Sequence, residues 1–257
     1  MIRIYDDYEA MSEAAAQLFV EQATRAVRER GWESEGARFT VALSGGHTPQ
    51  RTYELLAQPP LSDRNPRQEV PWQQVHVFWG DERCVPLDDP QSNARMTREA
   101  LLDHVPIPDA QVHPIRCAQD PEQAAEDYAA DLRAHLGSQH FDLIFLGLGE
   151  NGHTASLFPG TDVLEEQSRW TRAVYVAEQD MWRVTLTAPL INEAAVIAFL
   201  VTGASKAEVV HRVLEEPYQP KHLPAQLIQP VNGIVYYLLD AEAASKLDDR
   251  SKRASAQ

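Results

Sequence analysis

Residues 141–160 read FDLIFLGLGENGHTASLFPG, and this is the most informative stretch of the chain. The apolar run from Phe141 to Leu146 predicts a buried strand, which leads into three glycines within six residues and then His153. Further apolar runs at 39–43, 75–79, 196–201 and 234–239 alternate with helical patterns such as 122–136 and 206–214. This alternation predicts an α/β fold, with a mostly parallel sheet covered by helices on both faces.

The length and composition predict a single domain. A chain of 257 residues with 44% apolar content can bury a substantial core, and no internal repeat or interdomain linker interrupts it. We expect one domain over residues 1–247 and a frayed polar tail over 248–257. Residues 9–30 predict a surface helix that ends at Gly31, and residues 58–71, rich in Pro, Asp and Asn, predict a loop.

The charge and the cysteines limit the classes of partner. A net charge of −15 repels nucleic acid and anionic lipid, so neither is an expected partner. Cys84 and Cys117 lie 33 positions apart without a CxxC or a neighbouring Cys/His pattern, which indicates neither a disulfide framework nor a zinc site. With no secretory leader and no apolar run of membrane length, the sequence predicts a cytoplasmic protein.

A glycine loop follows the run at 39–43. In the motif SGGHTP at 44–49, Thr48 suits a helix N-cap and Pro49 the first helical position, so backbone N–H groups near Gly45 and Gly46 could point at an anion. The alternative is a tight strand-to-helix turn that binds nothing.

Charged residues follow the run at 75–79. The motif GDERCVP at 80–86 places Asp81 and Arg83 at a strand end, where the guanidinium suits phosphate and Asp81 could hold it or an imidazole in place. A solvated charged turn is the alternative. Downstream, Ser92 or Asn93 is expected only to cap a helix.

His153 is the candidate catalyst, because an imidazole accepts protons near neutral pH and the surrounding glycines allow a ligand to approach closely. The spacing of Gly147, Gly149 and Gly152 also fits a dinucleotide fingerprint, but a ribose-binding acid after a following strand is missing. A metal at His153 is disfavoured, because no second histidine stands three or four residues away and Glu150 alone does not complete a ligand set.

Two cations, Arg183 and Lys206, lie beside predicted strands. Lys206 would sit near a helix N-terminus, which is unfavourable for the helix dipole unless an anion is present. Each residue taken alone is more often a solvated surface charge.

Seven ordered segments together resemble the 6-phosphogluconolactonase family, over about residues 39–240. They are SGGHTP, GDERCVP, SN..M..E.LL, GLGENGHTASLFPG, RVTLTAPLIN, TGASK and PAQLIQPVNG. The resemblance implies a Rossmann-like fold and hydrolysis of 6-phospho-D-glucono-1,5-lactone to 6-phospho-D-gluconate in the oxidative pentose phosphate pathway. It requires neither a metal nor a cofactor, and it leaves the oligomeric state open, a monomer included.

The resemblance also implies roles for individual residues. His153 would be the catalytic base, Asp81 and Arg83 would lie in the pocket, and Arg183 and Lys206 would contact the anion. The loop at Gly45 and Gly46 would border the site. Many members resemble GEDGH where this chain has Asn151, which can support His153 by a hydrogen bond but cannot relay a proton.

Two other functions are the alternatives. The related sugar-phosphate isomerase-deaminases continue as GHIAFNEPG after a GxDGH element, and this chain has Asn151 and Phe158 where they carry acids. The other alternative, a non-catalytic sugar-phosphate binding module, would be expected to lose its base, whereas His153 is present. The favoured mechanism is attack on the lactone carbonyl by a water that His153 deprotonates.

Overall fold

The structure is a computed structural model that describes residues 1–31, 37–58, 70–117, 120–137 and 140–254. The described strands are β1 (Ile2–Tyr5), β2 (Phe39–Leu43), β3 (Val75–Trp79), β4 (Asp81–Arg83), β5 (Leu143–Leu146), β6 (Thr171–Val176), β7 (Met181–Leu186), β8 (Val196–Val201) and β9 (Ile234–Asp240). The described α-helices are α1 (Tyr8–Arg30), α2 (His47–Ala57), α3 (Asn93–Ala100), α4 (Pro121–Leu136), α5 (Ala188–Ile191), α6 (Ala207–Glu215) and α7 (Asp249–Ala254).

A six-stranded sheet forms the centre of the fold. Its order is β1-β9-β8-β5-β2-β3, and every pairing within it is parallel. All residues of β2, β5 and β8 are buried, which requires cover on both faces of the sheet. The predicted α/β class is confirmed, and β2, β3 and β8 have the predicted bounds.

A second, antiparallel sheet was not predicted. Its order is β4-β7-β6, and β4 starts one residue after β3 ends, with Gly80 between them. Arg83 on β4 pairs with Arg183 on β7, which brings together two cations that lie 100 positions apart. β4 is three residues long and charged, so it lacks the apolar alternation by which strands are recognised.

The cysteine prediction is wrong, because Cys84 and Cys117 form a disulfide. Cys84 follows β4, Cys117 precedes α4, and their Cα atoms lie 4.7 Å apart. The bridge of Val112 to Val77 on β3 brings the segment before Cys117 back along the sheet. Sequence spacing does not show such a tertiary contact, and a disulfide is uncommon in the reducing cytoplasm, which is the location predicted from the sequence.

Of three local predictions, the first is confirmed and the other two differ from the structure. Gly31 ends α1 with a φ of 82°, as predicted. The N-cap of α2 is Gly46 rather than Thr48, since the turn needs a φ of 101° that glycine adopts without strain. The tail expected to fray forms α7 from residue 249, where the Asp248 carboxylate accepts a hydrogen bond from the N–H of Ser251.

Most of the loop predicted at 58–71 lies outside the described residues, which resume at Val70. None of the helices in the described ranges combines the length and the apolar character that crossing a bilayer requires.

Candidate active site

A cavity of about 340 Å³ opens where β2, β5 and β8 end, at the carboxyl edge of the parallel sheet. The segments that follow these strands line it, together with residues of β4 and β7. The structure brings seven of the predicted site residues to its wall: Gly45, Gly46, Asp81, Arg83, His153, Arg183 and Lys206. Ligands bind at this edge in open α/β sheets, because the chain leaves each strand there in a loop.

The side-chain amide oxygen of Asn151 holds the imidazole of His153 in place. Nδ1 of His153 lies 2.6 Å from Oδ1 of Asn151, and the same oxygen accepts a hydrogen bond from the backbone N–H of His153 at 3.2 Å. Because an amide oxygen can only accept, Nδ1 carries the proton and Nε2 keeps its lone pair. This is the tautomer in which Nε2 can act as a base.

The surroundings of His153 keep it neutral. Its ring stacks on Phe158 with centroids 4.0 Å apart, and a Cβ at Gly149 would lie 2.1 Å from the ring, so only glycine fits there. Burial lowers the pKa of His153 to about 4, Asp81 opposes that shift, and the charges of Arg183 and Lys206 add to it. The imidazole is therefore neutral at pH 7, with its single proton on Nδ1.

Asp81 binds Arg183 and Ser156. Its Oδ2 accepts from Ser156 Oγ at 2.5 Å and from Arg183 Nη1 at 3.3 Å. The arginine that Asp81 binds among the described residues is thus Arg183 rather than Arg83, and the charge of Asp81 also acts on the imidazole of His153. Asp81 pairs with Thr185, which makes Arg183 its diagonal neighbour across the antiparallel sheet.

The other carboxylate of the DER motif turns away from the cavity. Glu82 accepts hydrogen bonds from the backbone N–H groups of Asn93 and Ala94 and from Ser92 Oγ, and so caps α3. Asp81 is consequently the one carboxylate among the described residues that line the cavity.

Asn93 is a wall residue that sequence reasoning missed. Ser92 caps α3 as expected, but the side chain of Asn93 donates to the carbonyl oxygen of Asp81 at 2.9 Å and lies against the glycine loop. A Cβ at Gly45 would lie 1.7 Å from Asn93 Oδ1, so the glycine is required for this contact. The only sequence signal was the SN pair, which helix capping already explained.

The two arginines, Arg83 and Arg183, each have some N–H donors bonded to the protein and some without a partner among the described residues. Arg83 donates from Nη1 to the carbonyl oxygen of Gln91, and Arg183 donates from Nη2 to Gln179. Nε of each arginine is buried and has no hydrogen-bond partner in the described part of the chain.

Two helix N-termini also face the cavity. Gly46 precedes α2 without a side-chain cap, and Lys206 is the N-cap residue of α6. Residues Gly46, His47, Thr48 and Lys206 all line the cavity wall. The uncapped N-terminus of α2 and the charge of Lys206 together favour an anion in the cavity.

The backbone after His153 adopts an unusual conformation. Ala155 lines the cavity with a φ of 46°, a region that residues with a side chain seldom occupy. The next residue, Ser156, donates its N–H to Thr185 on β7, and its hydroxyl binds Asp81. This turn therefore ties the His153 loop to the antiparallel sheet.

Known proteins share this sequence and fold. The family model described as glucosamine-6-phosphate isomerases/6-phosphogluconolactonase matches residues 6–237. A protein of Synechocystis named 6-phosphogluconolactonase is 43% identical over 246 residues, which cover 90% of this chain and 95% of the relative. A similarly named protein of Nostoc is 35% identical over 253 residues, covering 96% and 98%. A solved structure of 6-phosphogluconolactonase from Trypanosoma cruzi superposes with a TM-score of 0.80 at 29% identity, covering 96% of both chains.

Proposed function

The chain belongs to the glucosamine-6-phosphate isomerase/6-phosphogluconolactonase family, and we infer that it hydrolyses 6-phospho-D-glucono-1,5-lactone to 6-phospho-D-gluconate in the oxidative pentose phosphate pathway. The relatives of 43% and 35% identity, both named 6-phosphogluconolactonase, support this activity. The observation that carries the mechanism is the contact of His153 with Asn151, which leaves a neutral Nε2 at a cavity lined by three cations.

In the proposed reaction His153 is the general base. Nε2 takes a proton from a water molecule as the water oxygen attacks the lactone carbonyl carbon. The resulting tetrahedral oxyanion collapses, the bond to the ring oxygen breaks, and the imidazolium returns its proton to that oxygen. The carboxylic acid product then ionises, and the imidazole is neutral again. An activated lactone needs little more than a positioned water and one base.

The phosphate would be held by the cavity's cations. Arg83, Arg183 and Lys206 outnumber Asp81, the one carboxylate on the described wall, although the whole chain carries a charge of −15. The acidic surface repels anions, and the cavity attracts them locally.

The two alternatives have less support. Phe158 packs its ring on His153, so the position at which the deaminases carry a glutamate is apolar here. A non-catalytic binding module would not need an imidazole held in the basic tautomer.

The remaining parts of the proposal concern partners and location. The cations of the cavity support a small phosphosugar lactone as the partner, and the charge of −15 disfavours nucleic acid and an anionic membrane. We retain a cytoplasmic location as part of this proposal, although the Cys84–Cys117 disulfide does not support it.

A pH-stat assay tests the function, because opening the lactone releases a proton at neutral pH. Purified protein should hydrolyse 6-phosphogluconolactone well above the spontaneous rate, and His153→Ala should return the rate close to that background. Glucosamine 6-phosphate should yield no ammonia. Tight binding of 6-phosphogluconate without any turnover of the lactone would instead favour the binding module.

A further inference from the structure

A cluster of histidines lies outside the catalytic cavity. His76 is on β3, His113 follows the backbone bridge of Val112 to that strand, and Asp131 and His135 lie one turn apart on α4. None of these four residues lines the cavity. Three separate parts of the fold therefore bring three imidazoles and one carboxylate to a single place, and the proposed hydrolysis uses none of them.

The atoms of the cluster are within ligating distance of one another. Nδ1 of His113 lies 3.3 Å from Oδ2 of Asp131. Nδ1 of His135 lies 3.1 Å from Oδ1 of the same carboxylate and 2.9 Å from the backbone carbonyl oxygen of Asp131, a hydrogen bond that leaves the lone pair of His135 on Nε2. One ligand atom from each of these three residues falls within 4.8 Å of the other two. Ligands of a tetrahedral zinc ion lie about 3.4 Å apart, as follows from Zn–N bonds of about 2.0–2.1 Å. In the described part of the chain no other group of three His, Cys, Asp or Glu side chains comes this close.

His76 orients the ring of His113 through a hydrogen bond between their imidazole nitrogens. Nδ1 of His76 lies 3.2 Å from Nε2 of His113, so one imidazole donates to the other. When the Nε2–H of His113 donates to His76, the lone pair on His113 Nδ1 faces the Asp131 carboxylate. Two such electron-rich atoms at 3.3 Å need a cation or a proton between them. A metal-binding histidine usually has this arrangement, with its second nitrogen donating to a fixed acceptor.

The burial of the cluster suits a bound ion. His113 is 7% exposed and packs on the ring of Phe78, with centroids 4.4 Å apart. Asp131 and His135 are about one-third exposed, at 36% and 33%. One ligand is therefore fixed in the interior, while the other two border solvent, from which an ion and a water ligand can enter.

We propose that His113, Asp131 and His135 bind one divalent transition-metal ion of the zinc class, with His76 as the residue that orients His113. Two imidazole nitrogens and one carboxylate oxygen suit Zn²⁺, Co²⁺ or Ni²⁺, whereas Mg²⁺ and Ca²⁺ prefer oxygen ligands throughout. The ion would join α4 to the segment paired with β3. This site is structural, and it is separate from the chemistry at His153.

Cobalt titration of chelator-treated protein tests the proposal. We expect the protein to bind Co²⁺ at this site with a visible d–d absorption, and Zn²⁺ to displace it. His135→Ala and Asp131→Asn should each weaken binding by at least about 10-fold, the scale of losing a group that supports a metal site. Saturating Zn²⁺ should raise the Tm of the wild type but not that of His135→Ala.

Two control variants make the outcome decisive. His211 and Glu215 form a similar i, i+4 pair on α6, so His211→Ala removes an imidazole of the same kind and should leave the affinity unchanged. His153→Ala should also retain the cobalt signal, which separates this site from metal bound in the catalytic cavity. Asp131 and His135 are partly exposed, so their variants should fold, as circular dichroism would verify. Absence of a bound equivalent in the wild type, or equal affinities in wild type and His135→Ala, would overturn the proposal.

Discussion

Oδ1 of Asn151 lies 2.6 Å from Nδ1 of His153, two residues later, and this contact places the ring proton on Nδ1 and the lone pair on Nε2. The chain places the base and the residue that orients it in one turn. His153→Ala should lower kcat roughly 10²–10⁴-fold, the range for loss of a general base, with a much smaller change in KM. Steady-state kinetics on the purified variant would check this, and a kcat within a few-fold of wild type would mean that another group is the base.

Asn151 makes a separate prediction about pH. In the wild type, kcat/KM should hold as the pH falls from 7 and decline only near pH 4, where His153 takes up a proton and stops acting as a base. Asn151→Asp puts a negative charge beside Nδ1, which favours the imidazolium and raises its pKa. The decline should therefore begin at a higher pH in the variant.

Asn151→Ala, as the control, removes the contact without adding charge and should lower kcat up to roughly tenfold. Identical pH profiles for the wild type and Asn151→Asp would contradict the assigned contact.

Lys206 should recognise the phosphate. Charge-assisted hydrogen bonds contribute about 1.5–3 kcal/mol, so Lys206→Ala should raise KM for the phosphorylated lactone roughly tenfold or more. Unphosphorylated gluconolactone should be affected little, and kcat/KM for both lactones gives a double cycle between phosphate and side chain. Lys221→Ala is the matched control, because Lys221 is exposed and paired with Glu165. An equal loss for both lactones would move phosphate binding to Arg83, Arg183 and the Gly45–Gly46 loop.

Chelation should separate catalysis from the proposed metal site. EDTA should leave kcat unchanged, because His153 acts on water directly, while the Tm should fall if the ion at His113 is removed. Activity and thermal unfolding would be measured on the same chelator-treated sample. A loss of kcat that a divalent ion restores would refute metal-free hydrolysis.

The Cys84–Cys117 disulfide should stabilise the fold. It joins residues 33 positions apart, for which chain entropy predicts about 3.7 kcal/mol. Urea unfolding under oxidising conditions should show Cys117→Ser to be less stable than the wild type by about that amount. The difference should vanish in a reducing buffer, which serves as the internal control. Equal midpoints without reductant would show that the bond does not form in solution.

The sequence predicted the parts of the molecule that local patterns encode. The apolar runs of β2, β3 and β8 and the glycine-flanked His153 are contiguous in the chain, and the ordered motifs identified the family that the relatives confirm. The predicted assignments of site residues to one cavity agree with its lining, whereas their catalytic roles stay predictions.

The parts that it missed depend on contacts between distant segments. Asp81 binds Arg183 because β4 pairs with β7, and nothing near residue 81 signals that pairing. The disulfide and the cluster at His113 arise in the same way, since α4 and the segment before it fold back onto β3. Asn93 was hidden for another reason: its place after Ser92 fits helix capping, and capping gives no sign of a second role.

The left-handed backbone at Ala155 sets a limit on redesign of this enzyme. Glycine, asparagine and aspartate enter that conformation most readily, whereas a β-branched residue would distort the turn. In a mutant library that varies every cavity residue alike, many of the substitutions at position 155 would misplace the His153 loop. His47 and Thr48 line the same cavity from a helical N-terminus with ordinary backbone angles, and they are the better positions at which to seek a changed preference for substrate.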